Sequence, residues 1–215
     1  LSIQVCGGIL RKIAVFASGR GSNFQAVFKK IEAGEIKAEI SLLISNNPDA
    51  GAIEFARENN IPVKVVRPAD FESALLFGNA LLSSLKAYEI ELIILAGYLK
   101  MIPPNVVEAF PHRMINVHPS LLPSFGGKGM YGMNVHRAVY KSGVKVSGIT
   151  VHFVDEKYDT GPILLQQAVD ISDCRSPEEI AERVLKEEHQ QLPLAVKLLC
   201  ERRVSVEEKR VLFGD

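Results

Sequence analysis

A chain of 215 residues is long enough to bury a sizeable core, as one large α/β domain or two small ones. Its 47% hydrophobic and 23% charged residues are the composition of an ordinary soluble globular protein. Lys+Arg and Asp+Glu balance at 25 each, which removes the global field that would favour nucleic acid or an anionic membrane.

The opening LSIQVCGGIL is apolar, but it lacks a basic leader and is too short to span a bilayer. Residues 1–10 read as an extension ahead of the first strand. Strands are expected at 12–17, 38–44, 62–66, 91–96 and 113–117, where short β-branched apolar runs occur. Between them, residues 22–33, 50–60 and 72–87 carry helical spacing, with Phe24, Val27, Phe28 and Ile31 on one face. Apolar strands separated by helices imply a parallel sheet covered on both sides. Right-handed crossovers make that sheet doubly wound and Rossmann-like.

From Ser147 the pattern changes. Two strand-like runs, 147–154 and 162–171, are joined by only seven residues, 155–161. No helical crossover fits there, so an antiparallel pair should extend the sheet. A long helix is expected from Pro177 to Cys200, with Ser176 as N-cap, Glu178 and Glu179 in the first turn, and Pro193 kinking or dividing it. The fold class is therefore α/β with one domain over 1–215, since no linker or repeat interrupts it. Cys6, Cys174 and Cys200 are odd in number and widely spaced, so they read as reduced thiols of a cytoplasmic protein. The five histidines form no HxxxH or HExxH pair, which gives no indication of a metal.

Three segments carry chemistry. The first, 17-ASGRGSNFQA-26, joins strand to helix, and its glycines let the backbone turn sharply beside a ligand. Free N–H groups at the helix start favour an anion. Phe24 stands where a dinucleotide fingerprint needs its third glycine, and there is no P-loop lysine, so Gly21, Ser22 and Asn23 suit a single phosphate monoester. A capped structural turn is the competing reading. The second is 115-INVHPSLLP-123. Asn116 and His118 share one face of a strand end, placing an amide donor beside a protonatable ring, a combination suited to an oxyanion. A lone core histidine is usually structural, but the Asn-x-His spacing and the following Pro119 favour function. The third is 152-HFVDEKYDTGP-162. Asp159 could be a turn-former only, or a carboxylate reaching the same rim and raising the pKa of His118. His152 is weaker evidence, since it could simply be a satisfied strand histidine.

Together these segments resemble the phosphoribosylglycinamide formyltransferase family, the folate-dependent enzymes of purine synthesis. The resemblance rests on SGRGSN (18–23), LAGYLKMI (95–102), INVHPSLLP (115–123), GKGMYG (127–132), VHFVDEKYDTGPILLQ (151–166) and EEHQQLP (187–193), in that order, and spans about residues 11–205. It implies formyl transfer from 10-formyltetrahydrofolate, as co-substrate and without metal, to the amine of phosphoribosylglycinamide. By position, Asn116, His118 and Asp159 would be catalytic. Gly21, Ser22 and Asn23 would hold the phosphate, with Lys186 near that end, and Glu188 the ribose. Leu99, Lys100, Met101, Ile102, Asn116, Val154 and Asp155 would meet the folate, and 127–132 would be a mobile segment over the site. Ala74 stands where the family often has a basic residue for the folate tail, and Leu185 where some members have a polar phosphate neighbour. The implied partners are small molecules alone, with no nucleic acid or membrane, acting in a monomer or weak homodimer. Two other readings remain: formyltetrahydrofolate deformylase, with water as acceptor, and a non-catalytic phosphoribosyl-binding module. A cis peptide before Pro123 is worth checking.

Overall fold

The computed structural model describes residues 2–3 and 10–214. Within them the chain forms β1 (Ser2–Ile3), β2 (Arg11–Phe16), α1 (Ser22–Glu32), β3 (Ala38–Ser45), α2 (Gly51–Glu58) and β4 (Val63–Val65). It continues as α3 (Ala74–Ala87), β5 (Leu92–Leu95), α4 (Pro104–Ala109), β6 (Met114–His118) and α5 (Met133–Ser142). The last elements are β7 (Val146–Phe153), β8 (Ile163–Asp170), α6 (Pro177–Glu201), β9 (Arg203–Glu207) and β10 (Arg210–Gly214).

The strands make one ten-stranded sheet in the order β1-β9-β10-β8-β7-β6-β5-β2-β3-β4. From β4 to β6 the pairing is parallel. The expected antiparallel pair is present, since β7 runs against both β6 and β8. Alternation along β2 builds two cores. Ile13 and Val15 pack on the face that carries α1, α2, α5 and α6, and Ala14 and Phe16 pack with α3 and α4 on the other. The chain winds outward from β2 to β4, then returns to β5 and β6. The C-terminal ends of β2 and β5 therefore form a switch point, where such sheets leave a crevice.

Several expectations change. Pro193 neither divides nor ends α6, which runs unbroken from Pro177 to Glu201. The proline gives up one ladder bond, and packing against α1, α5, β7 and β8 holds the two halves in line. Ser2–Ile3 is not a bare extension, because it pairs antiparallel with β9 at the sheet edge. Cys6 and the rest of the 1–10 segment apart from residues 2, 3 and 10 lie outside the described residues. Helices α4 and α5 and the β9–β10 hairpin were not expected at all.

Gly161 closes the loop between β7 and β8. A Cβ there would lie 1.9 Å from the Phe153 carbonyl oxygen, so the two strand ends meet only because the residue is glycine. Gly161→Ala should cost about 1–3 kcal/mol, as overpacking does, and lower the thermal midpoint measured by calorimetry. An unchanged midpoint would show that the strand ends can separate freely.

Candidate active site

Strand β6 ends with Asn116 and His118 on one face, and both open into a cavity of about 550 Å³ at the switch point. The cavity also takes in Asn23 from α1, residues 97–102 after β5, residues 127–132, His136 from α5, His152 and Val154, Asp159 and Glu188. All three expected catalytic side chains thus line one space. Gly21 and Ser22 stand at the start of α1 just outside that lining.

The turn after His118 is held by a satisfied polar network. Thr150 of β7 donates to the Ser120 carbonyl at 2.7 Å and accepts from Leu122 N–H at 3.0 Å. Gln166 of β8 donates to the Leu122 carbonyl at 2.9 Å. The peptide before Pro123 is cis. This turn brings the Phe125 carbonyl 2.8 Å from His118 Nε2. A carbonyl only accepts, so Nε2 carries the proton and donates. In the neutral ring Nδ1 then bears the lone pair, and it faces Asp159 Oδ2 at 3.6 Å, beyond hydrogen-bonding distance.

His152 proves to be part of the same group, not a bystander in its strand. Its Nδ1 donates to the Phe153 carbonyl at 2.8 Å, which leaves Nε2 of the neutral ring to accept from Asn116 Nδ2 at 3.2 Å. That contact fixes the Asn116 amide and leaves it one further N–H. His152 Nε2 also lies 3.6 Å from Asp159 Oδ1. Asp159 sits at positive φ, 57°, and accepts the Gly127 N–H at 2.8 Å, so the 127–132 segment is tied to that carboxylate.

Burial sets the charges. Desolvation pushes the His118 pKa below the ordinary imidazole value, and His152 adds to this. Asp159 and the Phe125 carbonyl pull it upward, as anticipated, but they do not win. Burial thus outweighs the carboxylate, and the neutral His118 ring is favoured at pH 7. Burial alone would raise the Asp159 carboxyl, yet the His152 and His118 rings and the Gly127 N–H hold it below the usual carboxylate range. The site thus pairs a carboxylate with a neutral, buried imidazole.

At the other end, Gly21 stands at the N-cap of α1 with φ 78°, and a Cβ there would meet Ala52 Cβ at 2.8 Å. No side chain caps this helix, so Ser22 and Asn23 are not cap residues. Asn23 instead donates to the buried Glu188 carboxyl. Burial pushes Glu188 up to about 7, with the Asn23 contact opposing it. Above the ordinary value of 4.5 the folded protein therefore keeps a proton that the unfolded chain has lost, and stability falls as pH rises from 4.5 to about 7. Denaturant titrations across that range should lose up to about 3 kcal/mol through this group. Glu188→Gln should remove that part of the slope. An identical slope in the variant would contradict the assignment.

The folate-side expectations also converge. Leu99, Lys100, Met101, Ile102, Asn116, Val154 and Asp155 all line the cavity. Asp155 accepts from Thr160 Oγ1 at 2.7 Å and from Lys157 N–H at 3.1 Å, so its carboxylate shapes its own loop. Lys186 does not line the cavity. Tyr98 and His136 are liners to which the sequence reading gave no role. Lys128 lies in the 127–132 segment expected over the site, whose glycines at 127, 129 and 132 all have positive φ.

Residues 11–196 match the family model described as formyl transferase, and the chain belongs to that family. Within it, the chain is 47% identical over 202 residues to the phosphoribosylglycinamide formyltransferase, chloroplastic, of Arabidopsis thaliana, covering 94% of this chain and 69% of that protein. The phosphoribosylglycinamide formyltransferase of Bacillus subtilis (strain 168) is 40% identical over 190 residues, covering 88% of this chain and 95% of that one. The crystal structure of glycinamide ribonucleotide transformylase 1 from Symbiobacterium toebii superposes with a TM-score of 0.89 at 38% identity, covering 96% and 95% of the two chains.

Proposed function

We propose that this cavity transfers the formyl group of 10-formyltetrahydrofolate to the primary amine of 5′-phosphoribosylglycinamide, giving formylglycinamide ribonucleotide in de novo purine synthesis. The observation that carries the reading is the convergence of Asn116, His118 and Asp159 between two unlike ends of one cavity. The end with Asn23 and Glu188 is buried and polar, next to a helix N-terminus suited to a phosphate. The other end is walled by Tyr98 to Ile102 and Val154, a largely apolar surface for a pterin ring. Lys100, Lys128 and Lys157 are exposed cations along the cavity and offer partners for the folate tail that Ala74 does not supply.

The chemistry follows from the charges. The amine attacks the formyl carbon, and negative charge develops on the formyl oxygen. The free N–H of Asn116 donates to it, an interaction typically worth about 10²–10³ in rate. His118 Nδ1, neutral at rest, takes the proton released by the attacking nitrogen, and the Asp159 carboxylate stabilises the imidazolium so formed. The same proton passes to folate N10 as the C–N10 bond breaks. The products are the formamide and tetrahydrofolate, and no metal or covalent enzyme intermediate is needed for the balance. A cytoplasmic site of action and small-molecule partners alone accompany this reading, although the plant relative is chloroplastic.

The test is absorbance at the folate chromophore with 10-formyl folate, with and without phosphoribosylglycinamide. Turnover that requires the acceptor supports transfer. Formate release at the same rate without it would make the protein a deformylase, and binding of the phosphoribosyl ligand with no turnover would make it a binding module.

A further inference from the structure

Resting on that reading, one buried polar side chain in the cavity has no role among those assigned so far. His136 lies on α5, is only 6% exposed and lines the cavity. Its Nδ1 is buried and has no hydrogen-bond partner among the described residues. Leaving such a group unpaired is costly, because its desolvation is not offset by a hydrogen bond. A second orphan lies in the same cavity: Asn23 Oδ1, buried and unpartnered, while Nδ2 of the same residue is spent on Glu188.

The placement is specific. Helix α6 packs against both α1 and α5, so Asn23, Glu188 and His136 reach the same cavity from α6 and the two helices it touches. His136 is also close enough to His118 for a charge on that ring to disfavour its own protonation. Burial, with His118 adding to it, holds His136 down to about 4, so the ring stays neutral at physiological pH and offers one N–H and one lone pair. The substrate group lying between a ribose at Glu188 and an amine at His118 is the amide of the glycinamide arm, which itself carries one donor and one acceptor.

We propose that His136 binds the substrate directly, hydrogen-bonding the amide of the glycinamide arm and so aligning the amine with His118. It acts on the acceptor substrate and not on the folate. The ring gains its missing partner only when phosphoribosylglycinamide is bound.

The experiment is steady-state kinetics of His136→Phe and His136→Gln, each checked for folding by circular dichroism and thermal midpoint. The Phe variant should raise KM for phosphoribosylglycinamide about tenfold or more, the loss expected for one buried hydrogen bond. KM for the formyl folate should stay within about twofold, and the Gln variant should recover part of the loss. A folded Phe variant with an unchanged KM for the glycinamide would overturn the proposal. Should His136→Phe not fold, nitrogen-15 shifts of the His136 ring in the wild-type protein decide the question. They should move on adding phosphoribosylglycinamide and stay fixed with ribose 5-phosphate alone. No movement with either, or equal movement with both, would overturn the assignment to the amide. If the wild-type protein transfers no formyl group to phosphoribosylglycinamide, the proposed function itself fails, an outcome distinct from a normal KM in the variant.

Discussion

Replacing His118 with alanine should lower kcat by about 10²–10⁴-fold, the range for loss of a positioned acid–base group, while KM for both substrates changes only a few-fold. The ring is not a binding surface in this account. Its Nε2 is committed to the Phe125 carbonyl, and Nδ1, which faces Asp159, is the nitrogen left for the proton transfer proposed above. The substitution therefore removes the proton carrier and leaves the polar and apolar ends of the cavity in place. Thermal unfolding of the variant separates this effect from loss of the turn, since the network of Thr150 and Gln166 keeps residues 120–122 pinned without His118. Activity near that of the wild type would exclude His118 as the proton carrier.

The second large effect is at Asp159. Asp159→Asn keeps an oxygen to accept the Gly127 N–H, so the 127–132 segment stays anchored and the change is mainly one of charge. The carboxylate is among the groups that pull the His118 pKa upward against burial. Its loss lets the pKa fall further and leaves the imidazolium formed during transfer without its counter-charge. Turnover should drop by at least about 10²-fold. The pH profile gives the sign independently. A base must be deprotonated, so kcat/KM should rise with pH through the His118 pKa, which lies below 6.5 in the free protein. In the Asn variant that rising limb should move to lower pH. A limb that stays in place or moves upward would show that Asp159 acts through something other than the charge of His118.

The parallel half of the sheet was legible because its strands are continuous apolar runs, a pattern that burial on both faces imposes. The seven-residue limit on loop 155–161 likewise forced the antiparallel turn. The β9–β10 hairpin was not legible. Its two-residue turn is Glu208-Lys209, with Glu208 at φ 54°, and it lacks the Asn-Gly or Asp-Gly signal that such turns usually show. Helix α5 was hidden by the glycine-rich run that precedes it.

The candidate site divides in the same way. Asn116 and His118 could be paired from sequence because one strand carries both, two residues apart. Asp159 could be linked to them because its loop had to return to the same rim. His152 and His136 each belong to an element whose register or existence had first to be known. Once β7 is paired with β6, His152 falls opposite Asn116. The ionisation of His118 could not be read from neighbours in the chain, because desolvation sums over the whole cavity wall and outweighs the one carboxylate that sequence suggested.

The central claim is direct transfer of the formyl group within one cavity, and an isotope experiment tests it most directly. The folate donor would carry carbon-13 and oxygen-18 in its formyl group, and the reaction with phosphoribosylglycinamide would run in ordinary water. Mass spectrometry of the product should find both labels together on the new formamide, because the formyl oxygen is held through the tetrahedral intermediate and never exchanges with solvent. Labelled free formate in place of formamide, or a formamide that has lost its oxygen-18, would contradict direct transfer.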